Sequence, residues 1–315
     1  MASVHLDRCA TLRPERVPGY PARTRTVRVT GNGCPNTMTE SPSEHAGPPS
    51  GRLRTVLICH HDAPIDLVGL ARWLHADTDL VGIVRITEPP VMVQRRARRE
   101  LSRIGPLRFA DMAAFRIYYK LRLAAGDADW ERREVARLSA AHPEPPVAPI
   151  LDVATPNSPE ARAFLEKLSP DFALARCKFL LKKEIFTIPR HGTIVLHPGV
   201  CPEYRNAHGC FWALANDDRG KVGVTMLKVD AGVDTGPVYG YLSYPFDEVA
   251  ESHIRIQTRC VTENLASIAG ILQQIAAGRA PVVDTAGRPS AVWGQPWLSK
   301  YLYWKRTARR KAART

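Results

Sequence analysis

The stretch HPGVCPEYRNAHGCFWAL, residues 197–214, gathers two histidines, two cysteines, an arginine and an asparagine among prolines, glycines and aromatic rings. Three chemistries could use such a set. A metal site would draw on His197, Cys201, His208 and Cys210, but tetrahedral sites usually present a paired C-x₂₋₄-C or H-x₃₋₅-H knuckle. Here an H-x₃-C is followed only by an H-x-C, and Pro198 and Pro202 stiffen the loop, so no metal is expected. A thiol nucleophile at Cys201 or Cys210 needs a lowered pKa, and nothing beyond proximity argues for one. The third chemistry is that of a rigid pocket lip on which His197 moves a proton.

The elements that must position these residues can be read from periodicity. RTVLIC (54–59) is a short apolar run of the buried-strand kind, followed by HHDAP and the helical spacing of IDLVGLARWL; DLVGIVRI (79–86) is a second strand. Strand, helix, strand in about thirty residues makes a parallel βαβ unit with a right-handed crossover. Residues 91–140 are polar and helical in character, in two or three helices. The alternation then resumes with VAPILDV, a helix SPEARAFLEKL capped by Ser158, DFALARC, and GTIVLH (192–197). VGVTMLKVD (222–230) reads as a strand with one covered face, and residues 250–277 as one long amphipathic helix. Phe211 and Trp212 lie on a helical stretch and belong to the core. The fold class is α/β: a Rossmann-like open, mostly parallel twisted sheet with helices on both faces, plus a C-terminal helix and short closing segment. Ligands of such sheets lie outside the carboxyl ends of the strands, where His60, His61 and His197 stand.

Residues 179–238 then carry a resemblance. His197-Pro198, Pro202, Tyr204-Arg205, Gly223-Val224-Thr225 and Asp230-x-Gly232-x-Asp234-Thr235-Gly236-Pro237 follow one another in the order of the formyltetrahydrofolate-dependent formyltransferase core. That family includes the methionyl-tRNA, glycinamide ribonucleotide and sugar N-formyltransferases. The chain resembles it over residues 170–240 and, less closely, over 54–86. The resemblance implies an N-formyltransferase that moves a formyl group from 10-formyltetrahydrofolate to the primary amine of a small metabolite, an amino sugar or a biosynthetic intermediate. It places the general acid/base on His197, whose residue type titrates near ~6.5, and the carboxylate that fixes its tautomer and stabilises its cation on Asp234. Cofactor contacts fall on Phe179, Leu180, Leu181, Asp230 and Gly232, and acceptor contacts on His60, His61, Tyr204, Arg205 and Asn206. No GxGxxG or GxxxxGK[ST] occurs, so no dinucleotide or nucleoside triphosphate is expected.

The sequence departs from that core where the family carries an asparagine two residues before the histidine: Val195 stands there. In a strand, residues i and i+2 share a face, so Val195 points with His197 yet donates nothing to an oxyanion. Asn206, His208, His60 and His61 are the candidate substitutes. The alternative reading is a catalytically impaired formyltransferase-like binding protein. The cofactor loop also differs, with Lys178 where the family is commonly small and glycine-containing.

Composition bounds the rest. The 315 residues carry a formal charge of +13, but residues 1–54 hold +4 of it and 305–315 another +6, so the ends, not the core, are basic. Seven cysteines form no CxxC pair, which fits reduced thiols in the cytoplasm. No apolar run approaches the ~18 residues of a membrane span. The expected organisation is a disordered arm over 1–52, in which Met38 offers a second start; an α/β domain over 53–245 with a helical insertion at about 87–147; a C-terminal helix and closing segment over 246–304; and a basic tail over 305–315. Arm and tail are expected to be dispensable. Only about seventy residues follow the core, which argues against a tRNA acceptor.

Overall fold

The computed structural model describes residues 51–314. The arm expected over 1–52, with Met38, lies outside the described residues except at its last two positions.

The elements run in order: β1 (Arg54–His60), a π-helical turn (Ile65–Leu70) leading into α1 (Ala71–Asp77), β2 (Asp79–Ile86), α2 (Pro90–Ile104), α3 (Pro106–Arg122), α4 (Ala124–Ala141), β3 (Ile150–Val153), α5 (Pro159–Leu168), β4 (Phe172–Arg176), α6 (Lys183–Phe186), β5 (Thr193–Pro198), β6 (Arg205–Asn206), α7 (Gly209–Ala215), β7 (Val224–Lys228), β8 (Val238–Leu242), α8 (His253–Thr262), α9 (Leu265–Ala276), β9 (Val292–Trp293) and α10 (Leu298–Ala312). Seven strands form one sheet in the order β3-β2-β1-β4-β5-β7-β8. The first five are parallel, while β7 and β8 close the sheet antiparallel beside β5. This is the open, mostly parallel α/β sheet that the apolar runs predict.

Strand alternation sorts the core onto two faces. Leu57, Leu174 and Leu196 pack with Leu70, Leu74, Leu138 and Ile268 beneath α1, α4 and α9. Val56, Ile58 and Ala173 turn the other way, onto Ala161 and Leu165 of α5 and Ile185 of α6. Ser158 caps α5 as its sequence predicts, its Oγ accepting from the Ala161 N–H at 3.1 Å. A third cluster joins Phe115 of α3, Phe211 and Trp212 of α7, Ile256 of α8 and Tyr301 and Trp304 of α10.

Several expectations change here. The single helix over 250–277 is two: Asn264 leaves the helical region and its Nδ2 donates to the Cys260 and Ser243 carbonyls, each at 3.0 Å, satisfying the end of α8. Residues 224–227 are buried on both faces, because Val195, Cys201 and Val238 cover the side of Leu227 that the helices leave bare. The helical insertion joins the main core, where Leu138 of α4 packs. The Asp127 carboxylate of α4 accepts from Ser252 Oγ (2.9 Å), Arg255 Nε (2.8 Å) and Tyr119 Oη (3.1 Å), joining α3, α4 and α8. Nor does a tail begin at 305. Helix α10 continues to Ala312, with Lys305 and Ala308 buried because every third or fourth position faces α3 and α7. Among the described residues no helix is long and apolar enough to cross a membrane.

Candidate functional site

His197 lies at the carboxyl end of β5, paired across to Thr225 of β7, and is only 3% exposed. Its ring is held on both sides. Nε2 sits 2.7 Å from the Tyr204 carbonyl oxygen and Nδ1 3.4 Å from Asp234 Oδ2. A carbonyl oxygen only accepts, so Nε2 carries the hydrogen. In the neutral ring Nδ1 is then the bare lone pair, and it faces the carboxylate. The tautomer is therefore set by Tyr204, not by Asp234 as the sequence suggests, and Asp234 is placed to stabilise a proton arriving on Nδ1.

The backbone makes this possible through close packing of glycines. A Cβ at Gly199 would stand 2.6 Å from the Tyr204 oxygen, 2.8 Å from Gly209 Cα and 3.2 Å from His197 Nε2, so only glycine lets the 199–209 loop fold over the imidazole. Asp234 is itself at φ 50°, an uncommon conformation for a residue with a Cβ. Its Oδ2 accepts from the Asn206 N–H at 2.7 Å. Asp230 shapes the same turn, its carboxylate accepting from the Gly232 N–H (2.9 Å) and the Thr235 hydroxyl (2.8 Å). Arg205 reaches Val233 O with Nη1 at 3.1 Å, stitching loop to turn.

The remaining expected site residues divide. Phe179 stacks on His60 with ring centroids 6.1 Å apart, and His60 Nε2 accepts from the Lys178 N–H at 3.2 Å. His60 is held below the usual imidazole range by burial and by the Lys178 cation. Leu180 is 52% exposed, whereas Leu181 is buried in the core and supports the loop from beneath. His61 is exposed. Tyr204 is buried, its hydroxyl donating to Asp218 Oδ2 at 3.0 Å and its ring stacking on Trp293. The Asn206 side-chain amide donates to Trp293 O, away from the pair. Of the four substitutes for a donor at 195, Asn206 touches Asp234, by its backbone; His60, His61 and His208 make no hydrogen bond to His197 or Asp234 among the described residues. Val195 packs against the apolar cluster that includes Ala175, Leu181 and Ile185.

The thiols are not poised for attack. Burial, then Asp234, pushes Cys201 up to about 12; Cys210 is raised by its hydrogen bond with Cys260 and by burial. Among the described residues no three His, Cys, Asp or Glu side chains gather as a metal set. Sequence reasoning misses two features. Arg176 and Asp66 form a half-buried pair at 3.1 Å that also reaches the Leu196 carbonyl at 3.0 Å, bracing β5 just before His197. A cavity of about 200 Å³ opens between α3 and α8 beside His208, lined by residues with no motif spacing.

Fold and site together define a Rossmann-like α/β protein with a buried histidine–aspartate pair outside its strand ends. Residues 129–268 match the family model described as formyl transferase. The match begins inside α4. The chain is 44% identical over 75 residues to a methionyl-tRNA formyltransferase of Thermodesulfovibrio yellowstonii, covering 24% of each chain. It is 32% identical over 124 residues to that of Nitrosomonas eutropha, covering 37% of this chain and 39% of the relative. The chain thus spans well under half the length of these curated relatives. A sugar N-formyltransferase structure from Shewanella sp. FDAARGOS_354 superposes with a TM-score of 0.43 at 13% identity, covering 76% of both chains.

Proposed function

We propose that the protein transfers a formyl group from 10-formyltetrahydrofolate to the primary amine of a small metabolite, with His197 as general acid/base and Asp234 as its electrostatic partner. One observation carries this reading: Nε2 of His197 is spent on the Tyr204 carbonyl, leaving Nδ1 as a base aimed at a carboxylate. Nδ1 takes the proton that the acceptor nitrogen sheds as it becomes bonded to carbon. The cation so formed lies 3.4 Å from Asp234 Oδ2, in a place almost closed to water, where attraction is worth on the order of a few kcal/mol. Returning the proton to the leaving nitrogen resets the ring.

The folate supplies a formyl group on nitrogen, open to attack by an amine. The residues present fit it. Leu180 offers an uncovered apolar face beside Phe179, and the Asp230 carboxylate, accepting from the Gly232 N–H, shapes the turn that leads to Asp234. Phe179, Leu180 and that turn would hold it, with Leu181 fixing the loop from below. A binding protein without chemistry is the second reading, favoured by Val195, which packs among apolar neighbours and donates nothing.

Mass spectrometry after incubation with 10-formyltetrahydrofolate and a panel of small amines, alongside aminoacylated tRNA, tests the proposal. A formylated small amine is expected. His197→Ala and Asp234→Ala should each lower turnover by roughly 10²–10⁴ while the melting curve stays cooperative. Wild-type rates in either variant at saturating folate would remove the assignment, and product on tRNA alone would replace the acceptor class.

A further inference from the structure

Helix α3 has two apolar faces, and the described residues cover one of them. Met112 and Phe115 point inward, 1% and 4% exposed, and Phe115 joins the aromatic cluster shared with α7, α8 and α10. On the other side, Leu107, Ala110, Ala114, Ile117 and Leu121 follow one another at alternating intervals of three and four residues, which sets them in one row along a helix. Leu107 is 87%, Ile117 62% and Leu121 74% exposed, so the row looks into solvent. Single exposed aliphatics are ordinary, but an aligned row of them marks a contact surface.

Charge says what that surface meets. Helix α10 runs along one flank of the row: it touches α3 at Asp111, which accepts from the Ser299 N–H at 3.0 Å, and at Tyr118, whose ring centroid lies 5.5 Å from that of Tyr301. Asp111 and Tyr118 each sit three or four residues from two members of the row, and so are its neighbours on the helix surface. α10 holds six Lys and Arg and no Asp or Glu. Its exposed side presents Arg306, Arg309 and Arg310 together with Leu302 and Tyr303. On the other flank Lys120 is exposed, and α2, joined to α3 at Gly105, exposes Arg95, Arg98 and Arg99. The carboxylates of α2 and α3 are engaged, Glu100 with Arg103 at 2.6 Å and Asp111 with Ser299.

We propose that α3 and α10 form a docking face for an anionic lipid surface, with α3 lying in the headgroup plane, its aliphatic row against the acyl chains and the arginines of α10 on the phosphates. The 17 residues of α3, ~25 Å of helix, lie along such a surface, and no described helix is long and apolar enough to cross it. A nucleic acid would use the charge but leave the row idle, since bases are held by stacking on aromatic or guanidinium planes and by hydrogen bonds. A second copy set face to face would bring one arginine-rich helix against another. An anionic bilayer answers the row and the charge together. None of these residues belongs to the histidine–aspartate site, so the inference stands apart from the formyl-transfer reading.

Flotation of the full-length chain with vesicles tests it, one set made of phosphatidylcholine with one quarter phosphatidylglycerol and the other of phosphatidylcholine only. The protein should float with the first and several-fold less with the second, and high salt should weaken the binding. Leu107→Gln, Ile117→Gln and Leu121→Gln combined should lower vesicle affinity by about tenfold or more. Arg306→Gln, Arg309→Gln and Arg310→Gln combined should lower it by roughly a hundredfold on the anionic vesicles and leave the weak neutral binding as it was. All six positions are exposed, and a melting curve on each triple variant reports its fold. No flotation with anionic vesicles, or flotation undiminished in the folded leucine–isoleucine variant, overturns the inference. Capture of a short single-stranded RNA without vesicle binding would give the face to a nucleic acid instead, and a sedimenting dimer that binds no vesicles and that the same variant dissolves would give it to a second copy.

Discussion

At the scale of single residues, the decisive position is Val195. It shares a face of β5 with His197, and it packs against two apolar clusters, one holding Leu181 and Ile185 and the other Leu227 and Val238. Val195→Asn would place a carboxamide among them with few partners, at a cost of about 1–3 kcal/mol, beside a pair that is already complete. Turnover in the variant should fall or stay within a few-fold of wild type, and the denaturation midpoint should drop. A rise of 10² or more, the worth of an oxyanion donor in other enzymes, would instead mark a catalyst that had lost its asparagine. The meeting of His197 with Asp234 is legible in the sequence through the resemblance of residues 197–237 to the formyltransferase core, which implies that the two act together. The Tyr204 carbonyl that fixes the ring is not, since a backbone acceptor leaves no trace in residue type. Arg205 and Tyr204 also fasten the loop, through hydrogen bonds to the Val233 carbonyl and the Asp218 carboxylate.

At the scale of elements, α8 carries a histidine as its first residue with aromatic rings from three other helices around it: Phe115 and Tyr119 of α3, Phe211 of α7 and Tyr301 of α10. Burial among these rings disfavours a second proton on His253, and His208 and Lys305 add to that. Its folded pKa is thus depressed while the unfolded value stays near ~6.5, so the unfolded chain binds more protons as the pH falls below that value. The stability contributed by the neutral ring is full above ~6.5 and is lost on acidification, and His208 adds to the loss down to about 4. Urea midpoints between pH 7.5 and 4.5 should therefore fall more steeply in the wild type than in His253→Leu; parallel slopes would contradict the linkage. The strands and α5 are plain in the sequence from apolar runs and the Ser158 cap. The role of α3 is not, because its inward residues follow ordinary helical spacing and acquire meaning only from α7, α8 and α10 far along the chain.

For the whole molecule, net charge misleads about its C-terminal end. Six basic residues between 305 and 315 suggest a solvated tail, but they ride on α10, and Lys305 Nζ donates to the Glu248 and Glu251 carbonyls at 2.7 and 2.5 Å. Burial lowers that amine to about 8, and the carbonyls hold it in place. Deleting residues 305–315 removes these bonds and the inward Ala308, and strips the helix from behind Trp304. Thermal unfolding should show a loss of about 2–4 kcal/mol, with turnover falling in step; an unchanged melting temperature would restore the view of a dispensable tail. Composition hides this because a buried lysine and a solvated one have the same letter. The two-residue ribbon β6–β9 has a different reach. Arg205 and Asn206 are paired with Val292 and Trp293, and the Trp293 indole donates to the Glu203 carbonyl at 2.8 Å. The brace over His197 is thus made by chain that leaves the ribosome some ninety residues after it, which at roughly 5–20 residues per second is several seconds of synthesis. For about the last sixty residues of that interval histidine and aspartate both exist without the strand that closes over them, so the nascent chain carries its chemistry unassembled until β9 has emerged.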